Sequence, residues 1–399
     1  MKYCVLICDG MADYKIPELG NKTPMEKAVK PTMDFLAKSA RCGTVLNVPF
    51  GMVPESDTAN LAIMSYDPKV YSKGRSPLEA MSMGLKMADD ETAFRCNVVA
   101  ISSNGNYDDE IMLDHSADEI STEEADELIK ALNKELSNEF LRFYTGVSYR
   151  HCILWKNAPS FKDFNRPHDI IGRRIGDYLP PEPFLSMQRK SREILENHPV
   201  NIERRKKGLK AANSIWLWSP GAKPSLPSFK EKWGLDSTVI SAVDLIKGIG
   251  ICAGMRVVNV EGATGNVRTN YAGKAQAAID AFKGGSDYVY IHVEAPDECG
   301  HRGETENKVL SVELIDEKIL KKVYEYLSGC GEDFKILVLP DHPTPIVKRT
   351  HTSEPVPFFI YDSRRKENGV EMFSEENCEA KKDYIEHGYT LMDSFIEKE

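Results

Sequence analysis

The sequence predicts an α/β fold, a mostly parallel sheet with helices on both faces, interrupted by a smaller inserted α+β domain. Three observations carry that expectation. Strand-like and helix-like segments alternate at both ends of the chain, as βαβ units require. The apolar runs there are short, rich in β-branched residues and leucine, and stop abruptly at polar residues, as buried parallel strands do. The middle of the chain has another texture: TEEADELIKALNKELS is an acidic amphipathic helix, LRFYTGVSYRHCILW is hairpin-like, and PFLSMQRKSREILENHPVNIERRKKG is a charged helical stretch.

Taken in order, KYCVLICDG opens as a strand ending in Asp9-Gly10, a pair whose bland reading is a turn. KPTMDFLAKSARCG follows as a helix and GTVLNVP as a second strand. VPESDTANLAIM then places Ser56 before an apolar helical run, where a serine ordinarily caps the helix. The same place would receive a phosphate carried on that hydroxyl, because helix N–H groups and the positive dipole end face it. After the middle region, MRVVNVEG, TNYAGKAQAAIDAFKGG and DYVYIHVEAPDE read as strand, helix and strand. The last ends at Asp297 with His301 four residues on, which sets both side chains on one side of a helical turn. In the long helix that follows, Val309, Val312, Ile315, Ile319 and Val323 form one buried stripe. FKILVLPDHPTPIVKRTHTSEPVPFFIYD is the last strand and loop: its apolar run stops at Asp341-His342, and His351 follows within the loop. Ligand chemistry in open α/β sheets sits at such strand ends.

Pro, Gly and Ser gather near Pro224, and GLKMADD near Lys86 reads as the other edge, so the expected division is 1–85 and 227–399 around an insertion at 86–226. The basic run Arg204, Arg205, Lys206 and Lys207 reads as a solvated helix end. With 399 residues, 41% of them hydrophobic, the chain can build a substantial core. A net charge of -10 and a pI near 5.6 argue against a nucleic-acid or acidic-membrane binder, so an anionic substrate needs a local cluster of cations. No apolar run approaches the roughly 20 residues of a membrane span, and nine cysteines without framework spacing read as reduced core thiols. The expected location is the cytoplasm.

Asp9, Ser56, Asp297, His301, Asp341, His342 and His351 thus gather at strand ends. Carboxylates and imidazoles without cysteine suit two borderline-hard divalent ions such as Mn²⁺ or Zn²⁺ and suit calcium poorly. Two such ions roughly 3.5–4 Å apart neutralise a phosphoryl group and lower the pKa of a serine hydroxyl between them. Each residue alone is weak evidence, whereas the set makes sense as one site.

Asp9-Gly10, PESDTAN, GRSPLEAM, FRCN, APDECGH, and DHPTP followed by HTSEPVPF resemble the archaeal-type, cofactor-independent phosphoglycerate mutases of the alkaline phosphatase superfamily, nearly end to end. The resemblance implies interconversion of 3- and 2-phosphoglycerate with Ser56 as a transiently phosphorylated nucleophile. It implies one metal on Asp297, His301 and His351 and another on Asp9, Ser56, Asp341 and His342. Manganese is the first expectation for both, with zinc, magnesium or cobalt as alternatives. The insertion would be a substrate domain that closes over the phosphatase-like part. Lys247 matches a lysine near the phosphoryl group. Arg75 and Arg95 match positions where guanidinium groups fork onto phosphate or carboxylate, their bland reading being a structural ion pair. Arg150, His151, His168 and Asp169 match candidate substrate contacts. The implied partner is a small anionic phosphorylated molecule, with neither nucleic acid nor membrane, and the oligomeric state stays open.

One segment departs from the family pattern. Relatives tend to read Asp-x-x-Ala-Gly, then Arg or His, then Ile, whereas this chain places Glu119 between Asp118 and Ile120. That reverses a charge which would otherwise face the substrate anion, with His115 as a neighbour able to compensate. A homoserine kinase, or another metal-dependent phosphomutase or phosphatase of the superfamily, is the alternative. The kinase lacks a GxxxxGK[ST] stretch for its nucleotide.

Overall fold

Tyr3 to Cys8 is buried without interruption, which only a strand covered on both faces can be. A computed structural model describes residues 1–161 and 163–396. Its strands, in chain order, are β1 (Lys2–Cys8), β2 (Arg41–Val45), β3 (Glu91–Ile101), β4 (Met112–Asp114), β5 (Leu141–Val147), β6 (Arg150–Lys156), β7 (Ser214–Ala222), β8 (Ser237–Ile240), β9 (Arg256–Val258), β10 (Tyr288–Val293), β11 (Phe334–Leu339), β12 (Val356–Asp362) and β13 (Tyr384–Ile385). Two units emerge: Met1–Ser72 with Ser225–Glu399, and Lys73–Pro224.

The first unit is built on an eight-stranded sheet ordered β13-β2-β12-β11-β1-β10-β8-β9. The pairs of β1 with β10 and β11, of β8 with β10 and β9, and of β13 with β2 are parallel, while β12 runs antiparallel to both β11 and β2. The C-terminal ends of β1, β2, β10 and β11 and the N-terminal end of β12 therefore share one edge. That geometry brings Asp9, Ser56, Asp297, Asp341 and His351 to one place from five parts of the sequence. Gly10 takes φ +62, and a Cβ there would lie 2.7 Å from the Asp297 Cα, so only glycine lets the end of β1 approach the helix Ala295–Arg302. The expected long helix is Thr305–Ile315 continued through a π turn, Asp316–Leu320, into Lys321–Gly329. Val312, Ile315, Ile319 and Val323 face the core, and the buried Asp316 carboxylate accepts N–H bonds from Thr32 and Met33 at the start of the helix Pro31–Ala37.

The second unit is an antiparallel sheet, β4-β3-β6-β5 with β7 on β3. Helices Thr122–Leu136 and Phe184–Leu195 pack on it. Its limits differ from the expected 86–226: the helix Arg75–Ser82, expected to end the first part, packs on β3 and β7. Close approach makes this possible, since a Cβ on Gly221 would lie 2.6 Å from the Pro77 ring. Arg204 also departs from the solvated reading of its basic run. It is 2% exposed, donating to the carbonyls of Lys210 and Ala117 and to Glu124, and so ties the Asp114–Ile120 loop to its helix. All nine cysteines are free thiols. No helix among the described residues is long and apolar enough to cross a membrane.

Candidate active site

Three carboxylates converge where β10, β1 and β11 end side by side. Asp9 is buried, with Oδ1 3.7 Å from His342 Nε2 and Oδ2 3.1 Å from His292 Nε2. Asp341 accepts the backbone N–H groups of Gly10 (3.2 Å) and His342 (2.9 Å) on Oδ1, and the Asn60 amide (2.8 Å) on Oδ2. Asp297 accepts the Thr344 hydroxyl at 2.5 Å and lies 3.3 Å from both His301 Nε2 and His351 Nε2.

Backbone carbonyls orient two of the histidines. His301 Nδ1 donates to the Arg349 carbonyl at 3.0 Å and His351 Nδ1 to the Pro54 carbonyl at 2.7 Å. Carbonyl partners fix the proton on Nδ1, so each neutral ring presents its Nε2 lone pair. Those two Nε2 atoms face each other at 2.9 Å, an arrangement that needs a proton or a cation between them. Asp297, His301 and His351 offer ligand atoms within 4.8 Å of one another, and so do Asp9, Asp297 and His342. Oδ1 of Asp9 is buried without a hydrogen-bond partner, which a cation would satisfy. The donor set therefore fits divalent ions.

Electrostatics point the same way. Burial, then the charges of Asp341 and Asp297, hold the Asp9 carboxyl well above its usual range. Burial also pushes Asp297 up, but hydrogen bonds from His301 and His351 outweigh it and hold that carboxyl low. The bond to Asp297 raises His301 to about 9.

Ser56 is the first residue of the helix Ser56–Ile63, whose N-cap is Glu55 and which has no side-chain cap. Its Oγ lies 3.2 Å from His342 Nε2, so the hydroxyl faces the cluster instead of capping the helix. Asn60, one turn on, holds both ends of this arrangement: its amide donates to the Ser56 carbonyl and to Asp341, and its oxygen accepts the Tyr290 hydroxyl. Sequence reasoning passed over Asn60, Thr344 and His292. The spacing of four from Ser56 could have found the first, and the DHPTP stretch the second. His292 sits inside an apolar strand and reads as core.

Lys247 pairs with Asp244 at 2.7 Å and reaches Asn259 at 3.4 Å. The remaining expected residues lie in the second unit. Arg95 forks onto Glu79 with two bonds of 2.7 Å and lies over the Trp218 ring. Burial lowers its pKa, Glu79 opposes this, and the neighbouring charges of Arg75 and Arg150 lower it further, which marks a local concentration of cations. His168 touches the rings of Trp218 and His115 and lies 3.6 Å from Asp169. His151 Nδ1 accepts the Gly146 N–H, so its proton is on Nε2, which is buried without a partner in the protein. Glu119 is exposed at φ 51, its N–H on Ser116 Oγ.

The family model for 2,3-bisphosphoglycerate-independent phosphoglycerate mutase matches residues 37–201. A protein of that name from Methanothrix thermoacetophila is 47% identical over 379 residues, 94% of this chain and 94% of its own length. A probable mutase of the same name from Geobacter sulfurreducens is 43% identical and covers 100% of both chains. Among solved structures, a Pyrococcus horikoshii protein aligns with a TM-score of 0.81 at 27% identity, over 99% of this chain and 96% of that one. The cofactor-independent phosphoglycerate mutase of Thermoplasma acidophilum aligns with a TM-score of 0.67 at 25% identity, over 99% of each chain.

Proposed function

This chain belongs to the 2,3-bisphosphoglycerate-independent phosphoglycerate mutases, and from that premise we propose that it interconverts 3- and 2-phosphoglycerate through a phosphoserine on Ser56, with two divalent ions in the cluster. One observation carries the proposal: Ser56 Oγ stands 3.2 Å from His342 Nε2, at an uncapped helix start, beside three buried aspartates. Asp297, His301 and His351 would hold one ion, and Asp9, Ser56, Asp341 and His342 the other, manganese being the first candidate. When bound, the ions would neutralise charge on the phosphoryl oxygens and lower the pKa of the Ser56 hydroxyl.

Ser56 Oγ gives up its proton and bonds to phosphorus as the bond from phosphorus to the 3-oxygen of the glycerate breaks, and that oxygen takes a proton. The 2-hydroxyl then gives up its proton and bonds to the same phosphorus, Ser56 leaves, and its hydroxyl is restored. The helix start favours the phosphate on Ser56 through its N–H groups and dipole. Asn60 keeps that helix start and Asp341 in fixed relation. In the second unit, the cations Arg75, Arg95 and Arg150, the His151 Nε2–H, and His168 with Asp169 offer the charge and donors that a phosphoglycerate's anionic groups require. Lys247, paired with Asp244, keeps a further N–H donor that a phosphoryl oxygen could accept.

Phosphorus NMR tests the proposal on Mn²⁺-loaded protein and 3-phosphoglycerate, with neither nucleotide nor bisphosphoglycerate added. A growing 2-phosphoglycerate signal is expected. Release of inorganic phosphate alone, or transfer seen only in a parallel tube of homoserine and ATP, would overturn it. The relatives that carry the mutase name do not favour the kinase alternative.

A further inference from the structure

We propose that His115, positioned by Asn97, is a specificity-determining residue that takes the carboxylate of the substrate at a subsite built wholly within the second unit. The proposal rests on the mutase reading above, which gives the phosphoryl group to Ser56 and leaves the carboxylate of the glycerate for other donors.

Asn97 lies in β3, two residues after Arg95, and is 2% exposed. Its amide donates to the His115 carbonyl at 3.0 Å, and its oxygen accepts the Trp218 Nε1–H, also at 3.0 Å. One buried side chain thus ties the residue that follows β4 to an indole of β7. From His115 a row of ring contacts runs both ways. On one side its ring lies edge-on to Tyr149, over which Arg150 sits at 5.4 Å. On the other it lies edge-on to His168, which meets Trp218, over which Arg95 sits at 4.5 Å. Two imidazoles therefore stand between two guanidinium groups, each resting on an aromatic face.

Arg95 is paired with Glu79, and Asp114 is engaged by Lys210 and Ser116. Arg150 has no carboxylate partner among the described residues. His115 Nδ1 is buried without a hydrogen-bond partner, 3.9 Å from Asp114, while 31% of the side chain is exposed, so Nε2 is its accessible nitrogen. A guanidinium fork beside an imidazole N–H is a donor set that a planar carboxylate accepts. The backbone after His115 is strained to suit. Ala117, Asp118 and Glu119 take φ values of 48, 56 and 51 in succession, a left-handed run that L-residues avoid. Arg204 on the Ala117 carbonyl and Lys210 on Asp114 and Asp118 hold it, and strain so firmly held marks functional segments.

The test uses the full chain loaded with diamagnetic Mg²⁺ and follows the His115 ring protons by NMR, identified by their loss in His115→Gln. Two ligands that differ in the carboxylate are compared, 3-phosphoglycerate and glycerol 3-phosphate. The His115 signal should move with the first and stay with the second. In His115→Gln the KM for 3-phosphoglycerate should rise about 10–100-fold, the loss of a charge-assisted hydrogen bond, with kcat changing less. Asn97→Ala should raise the same KM and leave inhibition by glycerol 3-phosphate as it was, whereas a merely structural role would weaken both. Equal movement with both ligands, movement with neither, or a KM of His115→Gln within about twofold of wild type would overturn the subsite. A wild type that moves the signal selectively yet makes no 2-phosphoglycerate would instead sink the mutase reading and leave the subsite standing. Should a variant fail to fold, the wild-type signal, identified by its through-space contact with Tyr149, decides.

Discussion

Truncating Asn60 to alanine tests whether the metal carboxylates are held by the chain before any ion arrives. Asn60 is fully buried, donating at 2.8 Å to both Asp341 Oδ2 and the Ser56 carbonyl, and accepting the Tyr290 hydroxyl at 2.5 Å. Losing a hydrogen bond to a charged group costs about 1.5–3 kcal/mol, and a buried hydroxyl left unpaired costs about 1–3 kcal/mol. Metal-free Asn60→Ala should therefore be less stable than wild type by roughly 3–5 kcal/mol. Its Mn²⁺ affinity should fall about 10–100-fold, the usual effect of removing a group that orients a ligand. Denaturant titration reads the first quantity and Mn²⁺ electron paramagnetic resonance the second. A double-mutant cycle with Tyr290→Phe sharpens the test: once Asn60 is gone, removing the Tyr290 hydroxyl should cost nothing further or restore stability. Stability within about 0.5 kcal/mol of wild type and unchanged Mn²⁺ affinity would refute the reasoning, since surface substitutions commonly stay within that range.

Ser56→Ala should keep its stability to within about 1 kcal/mol, because Ser56 does not cap its helix. Activity should fall by orders of magnitude, and rapid-quench mass spectrometry of wild type with substrate should find phosphate on Ser56; substantial turnover by the variant would exclude the covalent route. His301→Ala should lower the Mn²⁺ content by one ion per chain, measured by equilibrium dialysis, because it removes one of the two facing Nε2 atoms. His151 is held neutral by burial, its pKa lowered from 6.5 to about 4. The unfolded chain thus takes up the proton first, and stability present above pH 6.5 is lost as pH falls towards 4, by about 3 kcal/mol in full. Urea titrations at pH 7 and pH 4.5 should show a loss about 2 kcal/mol larger in wild type than in His151→Gln, and equal losses would refute the assignment.

The three converging carboxylates were legible because β1, β10 and β11 are covered on both faces, so their apolar runs are continuous and a charged residue at the end stands out. His301 was legible from its spacing to Asp297, and His351 from its place in the loop after Asp341. Where the partners lie far apart in sequence the signal fails. Nothing around His292 distinguishes it from a core histidine, since Asp9 lies 283 positions earlier. Arg204 read as part of a solvated basic run because composition cannot show that the carbonyls of Ala117 and Lys210 close around one of four cations. The boundary of the insertion was displaced for a similar reason. Linker-like composition marks chain flexibility, whereas the helix Arg75–Ser82 belongs to the second unit through the fit of Pro77 against Gly221.

These failures share a physical cause that also explains the site. A charged residue buried at a strand end is costly alone and becomes tolerable only through partners brought by other strands. Asp341 is held by amides from β1's end and its own loop and by Asn60; Asp297 is held by Thr344 and two histidines. Asp9 is left with an unpaired oxygen and a raised pKa. The least satisfied carboxylate is therefore the central one, on the strand between the other two, where a cation gains most. The chain has satisfied the flanking carboxylates with protein donors and left the middle one with an unpaired oxygen, so a cation bound there would relieve the largest unmet polar demand of the cluster.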